Sequence, residues 1–480
     1  MFKEFNLENL ENSKELVENL LNENREEINE LLKIENKTYK NFVLPFQEIG
    51  EKTSEFLTPI FHIDSVKNSE ITTKVYEECM PVVSKYDTDI SQNENIYLAL
   101  KDIQSKEKSS LTDIQNKVLE NEIRDFKLSG CHLDNNKKKR LEEISLRLSE
   151  LSHKFSLNLL NATNEFEMII DNFEDVKEIP ASDLELAKFE EDGITKYKFT
   201  LQAPSYSAYI TYGTSREKRE ELYKGYCTRA PQNGKIIEEL LALKNEKSKI
   251  LGFNSYAQYS LATKMASKEE DVITFLEELG EKAKVRAKEE LNEIKELAIK
   301  DGIIDFRSSD MSYYSEKLKK AQYDLDEEYY RPYFEQESVL NGFFDFLHQM
   351  FNIKFTKVDV PSWDEKVRVY DLSENDKTMA RIYIDLEARK DKRGGAWMNN
   401  WHSHYKTSDG EIKLPTAYIV GNFPQSTKDT ASLLRHSDVV TLFHEMGHAL
   451  HHLLSKVEEP FVSGISGVAW DTVEFPSQFL

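Results

Sequence analysis

Cysteine is scarce here: Cys79, Cys131 and Cys227 are the three in 480 residues. They are odd in number and not in metal-ligand spacing, so disulfides are not expected and the thiols read as reduced. Basic side chains are in deficit, 63 against 86 acidic ones, for a formal net charge of −23. That balance argues against nucleic acid or an anionic membrane surface as the main partner. Long apolar runs are missing as well, since no stretch approaches the ~18 residues of a membrane span. The opening residues, Met1 to Glu8, carry charges at Lys3, Glu4 and Glu8, with no apolar run before a cleavage site. A cytoplasmic protein is the expectation. No repeat of solenoid period and no linker-length low-complexity tract is present.

What the chain does have is helical periodicity. At about 150 residues per domain its length suggests two or three domains. Leu141, Ile144, Leu148, Leu151, Phe155 and Leu159 recur at steps of three and four, one apolar stripe about five turns long that reads as core packing. Residues 8–50 and 90–128 read the same way. Near residue 166 the pattern changes: residues 166–170, 197–201 and 208–212 are short β-prone runs between Pro180, Gly193 and Pro204. Helical patterning resumes from Ser215 through Ile236, Leu240, Val272, Phe275, Leu276 and Leu279. The expected fold is mainly α with small β elements, divided softly at 212/213 into an N-terminal helical domain (1–212) and a second domain (213–480).

His444-Glu445-Met446-Gly447-His448 is an HExxH pentapeptide. On a helix, positions i and i+4 lie about 40° and roughly 6 Å apart, so two imidazoles converge on one metal. Glu445 then projects beside the ion, where it can take a proton from a zinc-bound water as general base. The flanks, Val439 to Phe443 and Ala449-Leu450, are apolar, which suits a buried metal helix. A catalytic zinc keeps three protein ligands and one open position. The long metzincin form would need Gly at 451 and His at 454, where this chain has His451 and Leu454. A Glu on a later helix is the other common solution, and Glu474, 26 residues past His448, is the candidate. Asp471 either accepts the second N–H of a ligating His or caps a helix. His451 and His452 read as polar residues flanking the site.

The stretch from Thr441 to Gln478 resembles the zinc-binding core of the thimet oligopeptidase family, in particular the wording of its bacterial oligopeptidase A branch. The likeness extends upstream through Tyr313 to Leu318, Tyr323 to Asp326, Pro332 to Phe334 and Gly395 to Met398, and reaches Leu251-Gly252-Phe253 and Lys264-Met265-Ala266. It implies a two-lobed, mostly helical zinc endopeptidase that cuts short peptides in a deep channel. It also implies one zinc ion on His444, His448 and Glu474, Glu445 as base, and a monomer. Family members continue beyond the third-ligand helix with a block that supplies a His and tyrosines to the substrate carbonyl. Here no His follows His452, so a truncated chain of impaired turnover is one alternative expectation. A dipeptidyl carboxypeptidase is another.

A second β region, residues 367–372, 380–386 and 416–423, precedes the motif. Thr416, Ala417, Tyr418 and Ile419 are candidates for a sheet edge that pairs with an extended substrate; the alternative is an ordinary central strand. Gly394-Gly395 reads as a tight turn. His402 and His404 lack a third partner for a second metal.

Overall fold

Six helices make up the first part of the chain: Ser13–Lys33, Leu44–Val66, Glu70–Ser91, Glu94–Glu107, Asp113–Leu128 and Asn135–Glu165. The computed structural model describes residues 2–5, 10–428 and 430–480. Several helix starts are written locally. Ser69 and Thr112 form capping boxes with Thr72 and Gln115, and Asp134 accepts from the Lys137 N–H, satisfying donors that a first turn leaves free. Phe42, Val43, Ile96, Leu100, Val118 and Leu119 are fully buried in one shared cluster. The apolar stripe of Asn135–Glu165 divides: Leu141, Ile144 and Leu151 are buried, whereas Phe155 and Leu159 are half-buried and line a cavity.

The first β element is a small sheet ordered β1-β3-β2, from β1 (Glu167–Ile170), β2 (Lys188–Glu191) and β3 (Ile194–Thr200). Residues 208–212 are not a strand. They belong to the helix Ala203–Tyr212, which Pro204 opens. Proline in a first helical turn gives up no hydrogen bond and presets φ. Ala208, Tyr209 and Tyr212 then share a buried face against Phe199 and Leu201, so tertiary packing overrides the β preference of Tyr, Ile and Thr.

The longest helix, Glu269–Lys300, differs from its expected packing. Phe275, Leu276 and Leu279 are 64%, 57% and 53% exposed, and Ala298 is its buried residue. Among the described residues nothing covers that stripe.

A five-stranded sheet carries the rest of the fold: β4 (Ile353–Val358), β5 (Arg368–Glu374), β6 (Lys377–Glu387), β7 (Trp397–His402) and β10 (Thr416–Phe423), with β8 (Tyr405–Lys406) and β9 (Ile412–Lys413) forming a separate ribbon. Its order is β4-β5-β6-β10-β7. β10 is therefore central, not an edge: Tyr418 pairs with Tyr383 of β6 in parallel and with Asn399 of β7 antiparallel. The reason lies in Thr416 to Val420, which is buried at every position; a strand covered on both faces reads as an unbroken apolar run. The terminal strand on that side is β7. One face of the sheet, with Ile382, Ile384, Ala417 and Ile419, packs on Leu442, Met446, Ala449 and Leu453 of the helix His436–Leu453. The other face holds Tyr383, Tyr418 and Val420 against Phe5, Ile63 and Trp363. Cys79 and Cys131 are buried, and Cys227 is exposed at the end of the helix Arg216–Cys227.

Candidate metal centre

The helix His436–Leu453 begins where the Asp438 carboxylate accepts from the Arg435 N–H. Its buried apolar face, with Leu442, Met446, Ala449 and Leu453, fixes its rotation on the sheet, and His444 and His448 lie about 160° round the helix from Met446. The His444 and His448 rings meet edge to face, centroids 5.0 Å apart. After the helix the chain turns back through a 3-10 turn, Trp470–Thr472, and a five-residue helix, Phe475–Phe479. Glu474 stands immediately before that helix rather than within one.

Gly447 explains the close approach. A Cβ there would lie 2.6 Å from both Pro476 O and Ser477 Cα, so the short helix rests on bare backbone. Glu474 is thereby brought to the histidines: its Oε2 is 3.2 Å from His444 Nε2 and 3.1 Å from His448 Nε2. One ligand atom from each of the three residues falls within 4.8 Å of the others. Two imidazoles and a carboxylate of this spacing are the donor set of an open zinc site. Ser477 Oγ lies 2.7 Å from Glu474 Oε2, and this contact, ahead of the two histidines, holds the Glu474 carboxyl below its ordinary pKa.

Glu445 is 8% exposed, and burial raises its pKa, opposed by His444 and by the backbone of Met398 on β7. Burial lowers that of His448, whose Nδ1 has no hydrogen-bond partner among the described residues. Asp471 does not supply one. Its carboxylate accepts from the N–H groups of Met265 at 3.0 Å and Ala266 at 2.9 Å, because the 3-10 turn that carries it faces the 264–266 segment. Nor is it a helix cap, since Ala469 precedes that turn. His452 Nε2 donates to the main-chain carbonyl oxygen of His402 at 2.7 Å, since a carbonyl can only accept. His451 and His452 stand outside the three-residue cluster, and His402 pairs with Glu55. Sequence reasoning missed β7, whose Asn399-Asn400 pair carries no strand signal.

The model of "Peptidase family M3" matches residues 209–480, and that of the "Neurolysin/Thimet oligopeptidase, N-terminal domain" matches residues 17–138. The chain belongs to peptidase family M3. Oligopeptidase A of Haemophilus influenzae is 40% identical over 97% of this chain and 70% of its own length. Oligopeptidase A of Escherichia coli is 37% identical over 92% and 67%. Among solved structures, a putative oligoendopeptidase F from Bacillus anthracis aligns with a TM-score of 0.51 at 15% identity, over 99% of this chain and 70% of that one. This M3 chain is thus a metallopeptidase of mainly helical fold that acts on peptides. No helix among its described residues is long and apolar enough to cross a membrane.

Proposed function

We propose that this M3 peptidase hydrolyses internal bonds of short peptides, with one zinc ion held by His444, His448 and Glu474 and with Glu445 as general base. The observation that carries the reading is the convergence of three ligand atoms within 4.8 Å beside a buried carboxylate on the same helix. When bound, zinc supplies Lewis acidity toward a carbonyl oxygen and acidifies a water. Glu445 accepts the proton from the attacking water and returns it to the departing amine. Burial, which raises its pKa, suits a group that must do both near neutrality.

Substrate orientation belongs to β7 in this reading. As the terminal strand of the sheet it leaves one row of main-chain groups for an extended peptide, and such pairing is blind to side chains. Broad sequence tolerance follows. The setting is the cytoplasm, and the unit a monomer.

An internally quenched peptide blocked at both ends, incubated with the chain and equimolar zinc, tests the proposal. Cleavage is expected, with Glu445→Gln slower by about 10²–10⁴-fold and zinc content unchanged. Failure to bind zinc, or a variant as active as the parent, overturns it.

A further inference from the structure

Between the helix His436–Leu453 and Glu474 the chain makes a detour into the N-terminal helices, and the residue that enters them first is an acid. Glu459 is 9% exposed. Its Oε2 accepts from Tyr39 Oη at 2.7 Å and from Gln47 Nε2 at 2.8 Å, and its Oε1 from Gln115 Nε2 at 3.2 Å. Among the described residues no Lys, Arg or His pairs with it. The three donors come from separate elements, the turn Tyr39–Val43 and the helices Leu44–Val66 and Asp113–Leu128. A seat lined by donors alone fits a group that only accepts, which an ionised carboxylate does. Those donors are themselves fixed: the Tyr39 N–H donates to Glu107 Oε2 at 2.8 Å, and Gln115 Oε1 accepts from the Thr112 N–H at 3.2 Å.

Phe461 enters beside the acid. Its ring meets Phe46 edge-on at 6.2 Å, and its N–H donates to Gln47 Oε1 at 3.4 Å. Gly50 makes the room, since a Cβ there would stand 2.8 Å from the Phe461 ring. From this seat close contacts run both ways along the chain. Gly464, at φ +60°, lies against His452 of the motif helix, and Gly467, at φ +72°, against the Phe461 carbonyl; a Cβ would come within 2.5 Å of His452 Nδ1 at the first and 2.8 Å of that oxygen at the second. Ser455 Oγ accepts from the Gly464 N–H at 3.0 Å, closing the loop on itself. Glu474 follows Gly467 by seven residues. Packing this dense passes a displacement on rather than absorbing it. The end of the motif helix and the approach to the third ligand are thus set against the N-terminal helices through one loop.

We infer that the docking of Glu459 on Tyr39, Gln47 and Gln115 positions Glu474, so that the N-terminal helices tune how tightly the metal centre holds its ion. Glu459 touches neither the ion nor the peptide and is a positioning residue. The inference rests on the zinc reading of His444, His448 and Glu474. Coupling of this kind is reciprocal, so bound zinc also tightens the loop on the helices.

Two readouts on the full chain test it: zinc affinity by chelator competition, and trypsin cleavage after the exposed Lys456, followed by mass spectrometry with and without zinc. Zinc is expected to slow that cut. Glu459→Gln turns an amide N–H toward the Gln115 donor and is expected to lower zinc affinity about tenfold and to speed the cut in the metal-free chain. Adding Gln115→Glu moves the carboxylate to the other side of the same pair and keeps the capping bond to Thr112, so Glu459→Gln/Gln115→Glu should recover both. Tyr39→Phe, which removes one donor and leaves the carboxylate, should show a smaller fall in affinity and serves where the first variant does not fold. Faster cutting with unchanged zinc affinity, or a lost affinity that the exchange does not restore, overturns the inference. A parent chain that binds no zinc overturns the metal reading and the inference with it, whereas zinc bound alike by every variant overturns the inference alone.

Discussion

Ser477 has one hydroxyl proton and two acceptors within reach, Glu474 Oε2 at 2.7 Å and the Glu474 carbonyl at 2.8 Å. Either bond holds the residue in place, and the first orients the oxygen that both histidines face. Partners of this kind are worth about 10–100-fold in metal affinity. Ser477→Ala is therefore expected to weaken zinc binding by about tenfold in a chelator competition, with the unfolding temperature little changed. An unaltered affinity would leave the histidines alone responsible for ordering Glu474. At this scale the sequence was readable where chemistry is local: the HExxH spacing is a property of one helix. Glu474 was reachable by elimination. Asp471 was not, since its partners Met265 and Ala266 lie some two hundred positions away and no periodicity announces a turn docking on a turn.

Between the motif helix and the short helix Phe475–Phe479 the contact is backbone on backbone. Gly447→Ala ought to help the first element by intrinsic propensity, by about 1 kcal/mol in a helix interior. Yet its Cβ would sit 2.6 Å from Pro476 O and Ser477 Cα, distances that force the second helix away and Glu474 with it. The expected outcome is a stable helix with zinc affinity down more than tenfold, read by metal titration alongside circular dichroism. Retained affinity would show that the short helix can slide without moving the ligand. Elements also show where pattern reading succeeds and stops. β5, β6 and β10 announce themselves as apolar runs, and Thr416 to Val420, buried at each position, has the composition of a central strand. β7 is hidden because the exposed Asn399 and the half-buried Asn400 interrupt any apolar run within it. The 208–212 segment misleads because the same five residues suit a strand by propensity and a helix by packing.

Across the whole molecule, the N-terminal helices and the sheet meet at His62, which stacks on Tyr418 at 4.1 Å and touches Trp363 edge-on. Its Nε2 has no hydrogen-bond partner among the described residues. Burial, against the pull of Asp385 and with Lys392 and Arg393 adding to it, pushes its pKa down to about 3. The unfolded chain takes up a proton at this residue below about pH 6.5, and the folded chain does not until near 3, so stability is present above pH 6.5 and is lost as pH falls toward 3. For this one group the loss is at most about 1.4 kcal/mol per pH unit. Urea unfolding at pH 7, 6, 5 and 4 should show a slope for the unsubstituted chain steeper by that amount than for His62→Phe. Parallel slopes would mean that the interface opens before His62 is charged.

The distribution of sulfur gives the molecule a handle for watching itself. Two thiols are sealed in the helical core and the third, Cys227, is solvent-accessible, next in sequence to Tyr226, which lines the same cavity as Phe155 and Leu159. A maleimide dye added to the native chain would therefore attach at one position without any engineered substitution. Placed there, its emission becomes an optical gauge of what enters that cavity, and a second dye on a peptide turns the same position into one end of a distance measurement.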